Sequence, residues 1–233
     1  MGMTANPSVP MKMIISAMMK PYLKPAVICF TAVVLVGCQG PGYQKSDSVA
    51  LNSQTAATLV QGELRDLELA TNTLHELVNQ PAADAKPQFV RFSQAVDRLS
   101  ASSKSAAERV KSVARNRAGY FEVWDKEILT LKDEEVRRRS QARREEAGKQ
   151  FTATVRQSLE AQDSVQPVIG YLSDIRKALS TDLTRNGLAS MQPLLPRAGE
   201  LAGKAQTELN KLAVELDALS ARMASYRVLD VKQ

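Results

Sequence analysis

Residues 195–226 read LPRAGELAGKAQTELNKLAVELDALSARMASY, and this stretch decides the fold. Its apolar and small side chains recur at steps of three and four residues, the heptad spacing of a helix that buries one face against other helices. We expect close helix approach near Ala198 to Ala205, where the side chains are small. A start near Pro193 or Pro196 is predicted, because proline in a first helical turn removes an N–H that has no partner there. The seam comprises Leu195, Ala198, Ala202, Ala205, Leu209, Leu212, Leu216, Leu219, Met223 and Tyr226.

Two further seams of this kind lie earlier in the chain. The first ends at Pro81, and a short connection leads to the second, which begins at Phe89. A connection of this length favours antiparallel neighbours. The first seam comprises Ala50, Ser53, Ala57, Val60, Leu64, Leu67, Thr71, Leu74 and Val78. The second comprises Phe89, Phe92, Val96, Leu99, Ser103, Ala106, Val110, Val113, Arg117, Tyr120, Trp124 and Leu131.

The region between the second seam and the last one is mixed in character. Residues 132–150 are highly charged, with Val136 as their only large apolar side chain. Helical patterning then resumes from Phe151 to Leu183, interrupted by Pro167, which predicts a kink or a break. Asn186-Gly187 predicts a helix stop, because both residues tolerate the left-handed conformation. This resumed seam includes Phe151, Val155, Leu159, Val165, Val168, Ile169, Leu172, Ile175, Leu179 and Leu183.

These patterns predict an all-α protein, an elongated antiparallel helical bundle with long, coiled-coil-like helices. The bundle domain is expected over residues 49–233. Its helices are expected at about 49–79, at 87–184 with candidate breaks near 119, within 132–150 or at 167, and at 193–227. The last helix should pack on the segment from Phe151 to Leu183.

The N-terminal region is predicted to be a targeting signal rather than part of the folded domain. The apolar run Ala26–Val36 has eleven residues, whereas a membrane-spanning helix needs roughly 20. Lysines precede it and no acidic residue does, which is the pattern of a secretory signal peptide. The run ends in Leu-Val-Gly-Cys at residues 35–38, which resembles the lipobox of bacterial lipoproteins. The alternative is a buried core strand followed by a chance Gly-Cys pair.

The lipobox resemblance implies that residues 1–37 are a signal peptide and that Cys38 is lipidated at the new N-terminus. Several acyl chains hold a protein firmly on a membrane without a spanning helix. Residues 38–48, which include Gly and Pro, are expected to form a tether. The protein would then lie on the periplasmic side of a bacterial membrane. Gln39, in place of Asp, resembles the outer-membrane sorting pattern.

Composition narrows the classes of partner. Without residues 1–37 the chain carries 28 basic and 25 acidic side chains, too small an excess for a nucleic-acid-binding protein. Cys29 would be lost with the signal and Cys38 acylated, so we expect no disulfide. The expected partners are the membrane, through the lipid anchor, and another envelope protein. An oligomer is also compatible with the sequence.

No catalytic or metal-binding constellation is visible. His75 is the single histidine, and without a free thiol it supports neither a His/Cys zinc site nor a Ser-His-Asp triad. Asp133, Glu134 and Glu135 each stand four residues before an arginine, and we interpret them as ion-pair partners on an exposed helix rather than as acid/base catalysts. We therefore expect no enzyme activity, no cofactor and no metal.

One region is a candidate partner surface. Tyr120 and Trp124 share a helical face, and an Arg-rich segment follows them. The alternatives are core packing for the aromatic residues and a solvated helix for the arginines. The arginines of this surface are Arg137, Arg138, Arg139, Arg143 and Arg144.

Three blocks carry a resemblance to a known family: GYFEVWDKEI at 119–128, RRRSQARREE at 137–146 and ALSTDLTRNGL at 178–188. They are similar to a family of uncharacterised bacterial lipoproteins, domain of unknown function twenty-nine fifty-nine. The resemblance implies an all-helical, coiled-coil-like build and brings no activity or site residue. The expected function is a structural or scaffolding role in the cell envelope. The alternative is a binding module that uses the Arg-rich helix to hold an anionic envelope polymer or lipid headgroup.

Overall fold

A computed structural model of the protein describes residues 42–225. Residues 42–225 fold into four long helices and two short helical segments and contain no strand. The predicted all-α bundle is confirmed. The elements are α1 (Gly42–Asn79), α2 (Lys86–Thr130), α3 (Glu134–Thr181), α4 (Arg185–Met191), a 3-10 turn (Gln192–Leu194) and α5 (Leu195–Met223).

The long helices form an antiparallel four-helix bundle. Around the bundle the order is α1, α2, α3 and α5, since α1 and α3 each pack mainly against α2 and α5. One polar contact spans each of the four interfaces between neighbouring helices. They are Arg109 Nη1 to Asn52 Oδ1 at 3.3 Å, Arg176 Nη1 to Asp97 Oδ1 at 2.5 Å, Gln157 Nε2 to Glu208 Oε2 at 2.9 Å, and Ser220 Oγ to the Ala50 carbonyl at 2.9 Å.

The heptad seams supply the core. In α5 nearly every predicted seam position is buried, with Ala202 only half-buried, while Tyr226 lies outside the described residues. Proline stands in the first turn of α2 and of α5, where its missing N–H leaves no intrahelical bond unmade. The expected packing of α5 on the segment from Phe151 to Leu183 is observed.

Several boundaries differ from the expectation. Helix α1 begins at Gly42, so residues 42–48 are helical and the predicted tether over 38–48 is wrong for that part. Its first turns are held by α5, because Ser46 Oγ donates to the Met223 carbonyl and Ser225 binds Asp47. Gly and Pro had suggested a flexible segment, but contacts with the last helix order it.

The region predicted as 87–184 is two helices. The break lies at residues 131–133, at the start of the charged segment, and none occurs at 119. Leu131 is extended, and the Asp133 carboxylate caps α3 by accepting from Val136 N at 2.9 Å. Helix α3 also continues through Pro167. The proline is exposed and the neighbouring Ser164, Val165 and Val168 are buried, so packing on both sides maintains the helix.

Two other expectations are corrected. Leu159 is exposed rather than part of the core, because Ser158 and Ala161 face the core in its place. Asn186-Gly187 does not stop a helix but lies in the first turn of α4, which Thr184 caps by accepting from Gly187 N at 3.1 Å. A Cβ at Gly187 would stand 2.2 Å from the Asp182 carbonyl oxygen, so glycine is needed for close approach.

Candidate functional site

The candidate site lies at one end of the bundle, which we call the open end: α1 begins there, α5 ends there and the α2–α3 hairpin extends past both. Ser225 closes the junction of the first and last helices. Its N–H and hydroxyl donate to the two carboxylate oxygens of Asp47 at 2.7 and 2.9 Å. The chain from Cys38 therefore enters the bundle at the same end at which α5 leaves it.

The turn of the hairpin is closed by one arginine. Arg137 Nη2 and Nε donate to the Leu131 carbonyl at 2.9 and 3.2 Å, which satisfies a carbonyl left without an intrahelical partner at the end of α2. Asp133, expected to pair with Arg137, is instead the N-cap of α3. Hydrogen bonds from both sides thus define the turn.

The other arginines of the predicted partner surface are paired within the hairpin. Glu135 binds Arg139 Nε at 2.7 Å and also Arg138, and Glu146 lies 3.3 Å from Arg143 Nη1. Of the three predicted acid-to-arginine pairs, Glu135–Arg139 is observed. Arg138 pairs with Glu135 rather than with Glu134, so one carboxylate holds both guanidinium groups. These exposed pairs contribute little to folding.

Arg144 is different, because it joins α3 to α2. Its Nε and Nη2 donate to the two carboxylate oxygens of Asp125 at 2.7 and 2.8 Å, and this hydrogen bonding lowers the pKa of Asp125. The guanidinium carbon lies 4.5 Å from the centre of the Phe121 ring, within cation–π range. Arg144 therefore combines a bidentate ion pair with an aromatic contact.

The aromatic residues divide between core and surface. Phe121 is buried and meets Phe151 edge to face at 5.4 Å. Tyr120 and Trp124 are half-buried with ring centres 5.3 Å apart, and Trp124 Nε1 donates to Ser140 Oγ at 2.9 Å. Burial raises the pKa of the Tyr120 phenol. Phe121 thus packs in the core, whereas Tyr120 and Trp124 are partly accessible to solvent.

Beside Trp124 is a groove of about 300 Å³, which we call the aromatic groove. The beginning of α1 forms one wall and the last turns of α2 form the other, with Ser225 at the end. Its apolar surface comes from two tyrosines, a valine and the tryptophan. The lining residues are Gly42, Tyr43, Ser46, Tyr120, Val123, Trp124, Glu127 and Ser225.

A buried carboxyl group was missed in the sequence. Glu63 is 4% exposed and borders a very small cavity whose walls come from all four long helices, including Ser103 and Ser158. Desolvation by burial raises the pKa of Glu63 to about 7, although a hydrogen bond with Ser103 lowers it. The spacing Val60–Glu63–Leu67 already fits a heptad seam, so a strict reading of that spacing would have found this residue.

The structure brings Tyr120, Trp124 and all five predicted arginines to the open end. Cys38 lies outside the described residues. His75 is half-buried on α1, 3.5 Å from Asn79. In the described part of the chain no group of three or more acidic, histidine or cysteine side chains is placed to hold a metal ion. No helix within residues 42–225 has the length and apolar character needed to cross a membrane.

Comparison with known proteins identifies a family. The model of a family described as protein of unknown function (DUF2959) matches residues 38–223, which agrees with the resemblance found in the sequence. Neither a curated protein nor a solved structure matches the chain.

Proposed function

The chain belongs to the DUF2959 family, and from this premise we propose that it is a lipid-anchored protein of the bacterial cell envelope with a structural or scaffolding role. The observation that carries the proposal is Leu-Val-Gly-Cys at residues 35–38, placed directly after an eleven-residue apolar run. The match to the family begins at Cys38 itself, the residue before which a lipoprotein signal is cut. Cys38 also stands only four residues before α1.

The scaffolding part of the proposal draws on the form of the bundle. Helix α3 has 48 residues and is therefore about 70 Å long at 1.5 Å per residue. Anchored at one end, such a bundle would present helical faces at a distance from the membrane. Exposed apolar side chains such as Val90 and Val214 offer contact points along it. A photo-crosslinker at Val90 should capture the same protein in repeated experiments on intact cells, whereas diffuse labelling would count against a scaffold.

The anchor is tested by Cys38→Ala. We expect the variant to remain unprocessed or to leave the membrane fraction, since the acylated thiol is lost. Cys29→Ala is the matched control. It removes the other cysteine of the chain, which lies within the proposed signal peptide, and should leave processing unchanged. Normal processing and unchanged membrane association of Cys38→Ala would refute the proposal.

The proposed membrane is the outer one, on the argument from Gln39. If Gln39 directs sorting, Gln39→Asp should move the processed protein to the inner membrane on a density gradient. Identical distribution of the two proteins would remove this part of the proposal without affecting the anchor.

The alternative function, binding of an anionic polymer by the Arg-rich helix, gains no support from the hairpin. Residues 122–149 carry eight basic and eight acidic side chains, and four of the five arginines of the surface form ion pairs with carboxylates. Binding to such a polymer that disappears with added salt would support this alternative function.

A further inference from the structure

The open end of the bundle exposes apolar side chains. Leu129, the last large side chain of α2, is 83% exposed, and Val136 in the first turn of α3 is 51% exposed. Tyr43 at the start of α1 is 59% exposed. Leu129 and Val136 stand on either side of the turn between α2 and α3, and exposed apolar side chains at the end of a bundle are suited to contact with a membrane or a protein.

The aromatic groove adds residues suited to one of these partners. Trp124 and Tyr120 present apolar ring faces while their polar atoms are held inside, as in the bond from Trp124 Nε1 to Ser140 Oγ. Tryptophan and tyrosine are enriched where a membrane meets water, because their rings are amphipathic. Leu129 is five residues beyond Trp124 on α2, about 8 Å nearer the end of the hairpin and on a different face of the helix.

Charge does not drive this contact. The basic and acidic side chains of residues 122–149 are equal in number, and Arg138, Arg139 and Arg144 are engaged with carboxylates of the hairpin. A surface of this kind would not depend on anionic lipids. It would bind through its apolar side chains.

Chain length places the anchor beside this surface. Cys38 is four residues before Gly42, and four residues of extended chain span at most about 14 Å. Glu127 shares the aromatic groove with Gly42, and the hairpin continues past that level by at least the last three residues of α2, about 5 Å. The anchor and the end of the hairpin can therefore reach one membrane surface.

We propose that the open end is a bilayer-contact surface, in which Leu129 and Val136 enter the interface of the membrane that holds the Cys38 lipid, and Trp124 lies at headgroup level. This inference rests on the lipid anchor proposed above. It adds an orientation: a single flexible attachment would let the bundle tilt, whereas a second contact holds its axis away from the surface.

Trp124 is the only tryptophan in the chain and serves as the probe. The full-length processed lipoprotein is reconstituted into phosphatidylcholine vesicles with plain or brominated acyl chains, since bromine quenches indole emission only at close range. We expect emission in brominated vesicles to fall by at least a third, and the same fall in 0.5 M NaCl. Leu129→Ser with Val136→Ser should restore most of the emission. Val90→Ser with Val214→Ser, two exposed positions on other surfaces, should not.

Each contrary result has a distinct meaning. Equal emission in both vesicles, with the protein still floating with them, overturns the bilayer-contact surface and leaves the anchor standing. Failure to float with vesicles overturns the anchor and the surface together. Quenching that disappears in salt, or that the Leu129→Ser and Val136→Ser variant does not change, overturns the assignment to these apolar side chains.

Discussion

Glu63 shows what a single buried carboxyl group does to the bundle. Burial removes water from the carboxylate and raises its pKa to about 7. Repulsion from Asp66 on the same helix acts in the same direction. The folded state then holds a proton that the unfolded state releases at a lower pH. This contribution to the free energy of unfolding is complete below the unfolded pKa of about 4.5 and is lost as the pH rises through about 7.

We expect stability to fall by up to about 3 kcal/mol between pH 4.5 and pH 8 because of this group. Glu63→Gln, which carries no charge at either pH, should remove most of that dependence. Urea unfolding followed by far-ultraviolet dichroism at both pH values measures it. Glu68→Gln, an exposed position on the same helix, is the control and should behave as the wild type. An unchanged pH dependence in Glu63→Gln would show that other groups cause it.

At the scale of the element, α5 gives the sharpest contrast between buried and exposed positions. Leu212 and Leu216 are nearly inaccessible, whereas Val214 between them is 68% exposed. Leu212→Ala and Leu216→Ala should each lower the free energy of unfolding by about 2–5 kcal/mol, because each leaves a cavity in the core. Val214→Ala should change it by no more than about 0.5 kcal/mol. Equal effects at all three positions would mean that α5 does not face the core as described.

The hairpin formed by α2 and α3 illustrates how an element ends. Charge alone did not identify the turn, because charged side chains are spread along the whole of residues 132–150. The decisive feature is the Asp133 carboxylate, which caps α3 while Arg137 holds the Leu131 carbonyl. Only one of the three ion pairs expected from sequence spacing forms. Asp133 and Arg137 have backbone partners instead of each other, and Arg138 pairs with Glu135 rather than with Glu134.

At the scale of the whole molecule, the order of helices around the bundle can be tested by cysteine pairs in the acylated protein, whose Cys38 thiol is blocked. Asn52→Cys with Arg109→Cys joins α1 to α2, and Gln157→Cys with Glu208→Cys joins α3 to α5. A short bis-thiol reagent should crosslink both pairs efficiently. Asn52→Cys with Gln157→Cys is the control, because Asn52 lies at the interface of α1 and α2 and Gln157 at the interface of α3 and α5. Crosslinking of the control pair at the same rate would contradict the order α1, α2, α3, α5.

The sequence by itself determined the helical class, most of the core positions and the proposed address at Cys38, because each depends on a local pattern. A heptad period assigns the buried face of a helix without knowledge of its neighbour, and a lipobox is four consecutive residues. Ordering of residues 42–48, the continuity of α3 through Pro167 and the gathering of Trp124, the arginines and the start of α1 at one end were decided only by the tertiary structure. These depend on contacts between residues as far apart as Asp47 and Ser225. Such contacts follow from packing and loop length, which a local sequence pattern does not specify.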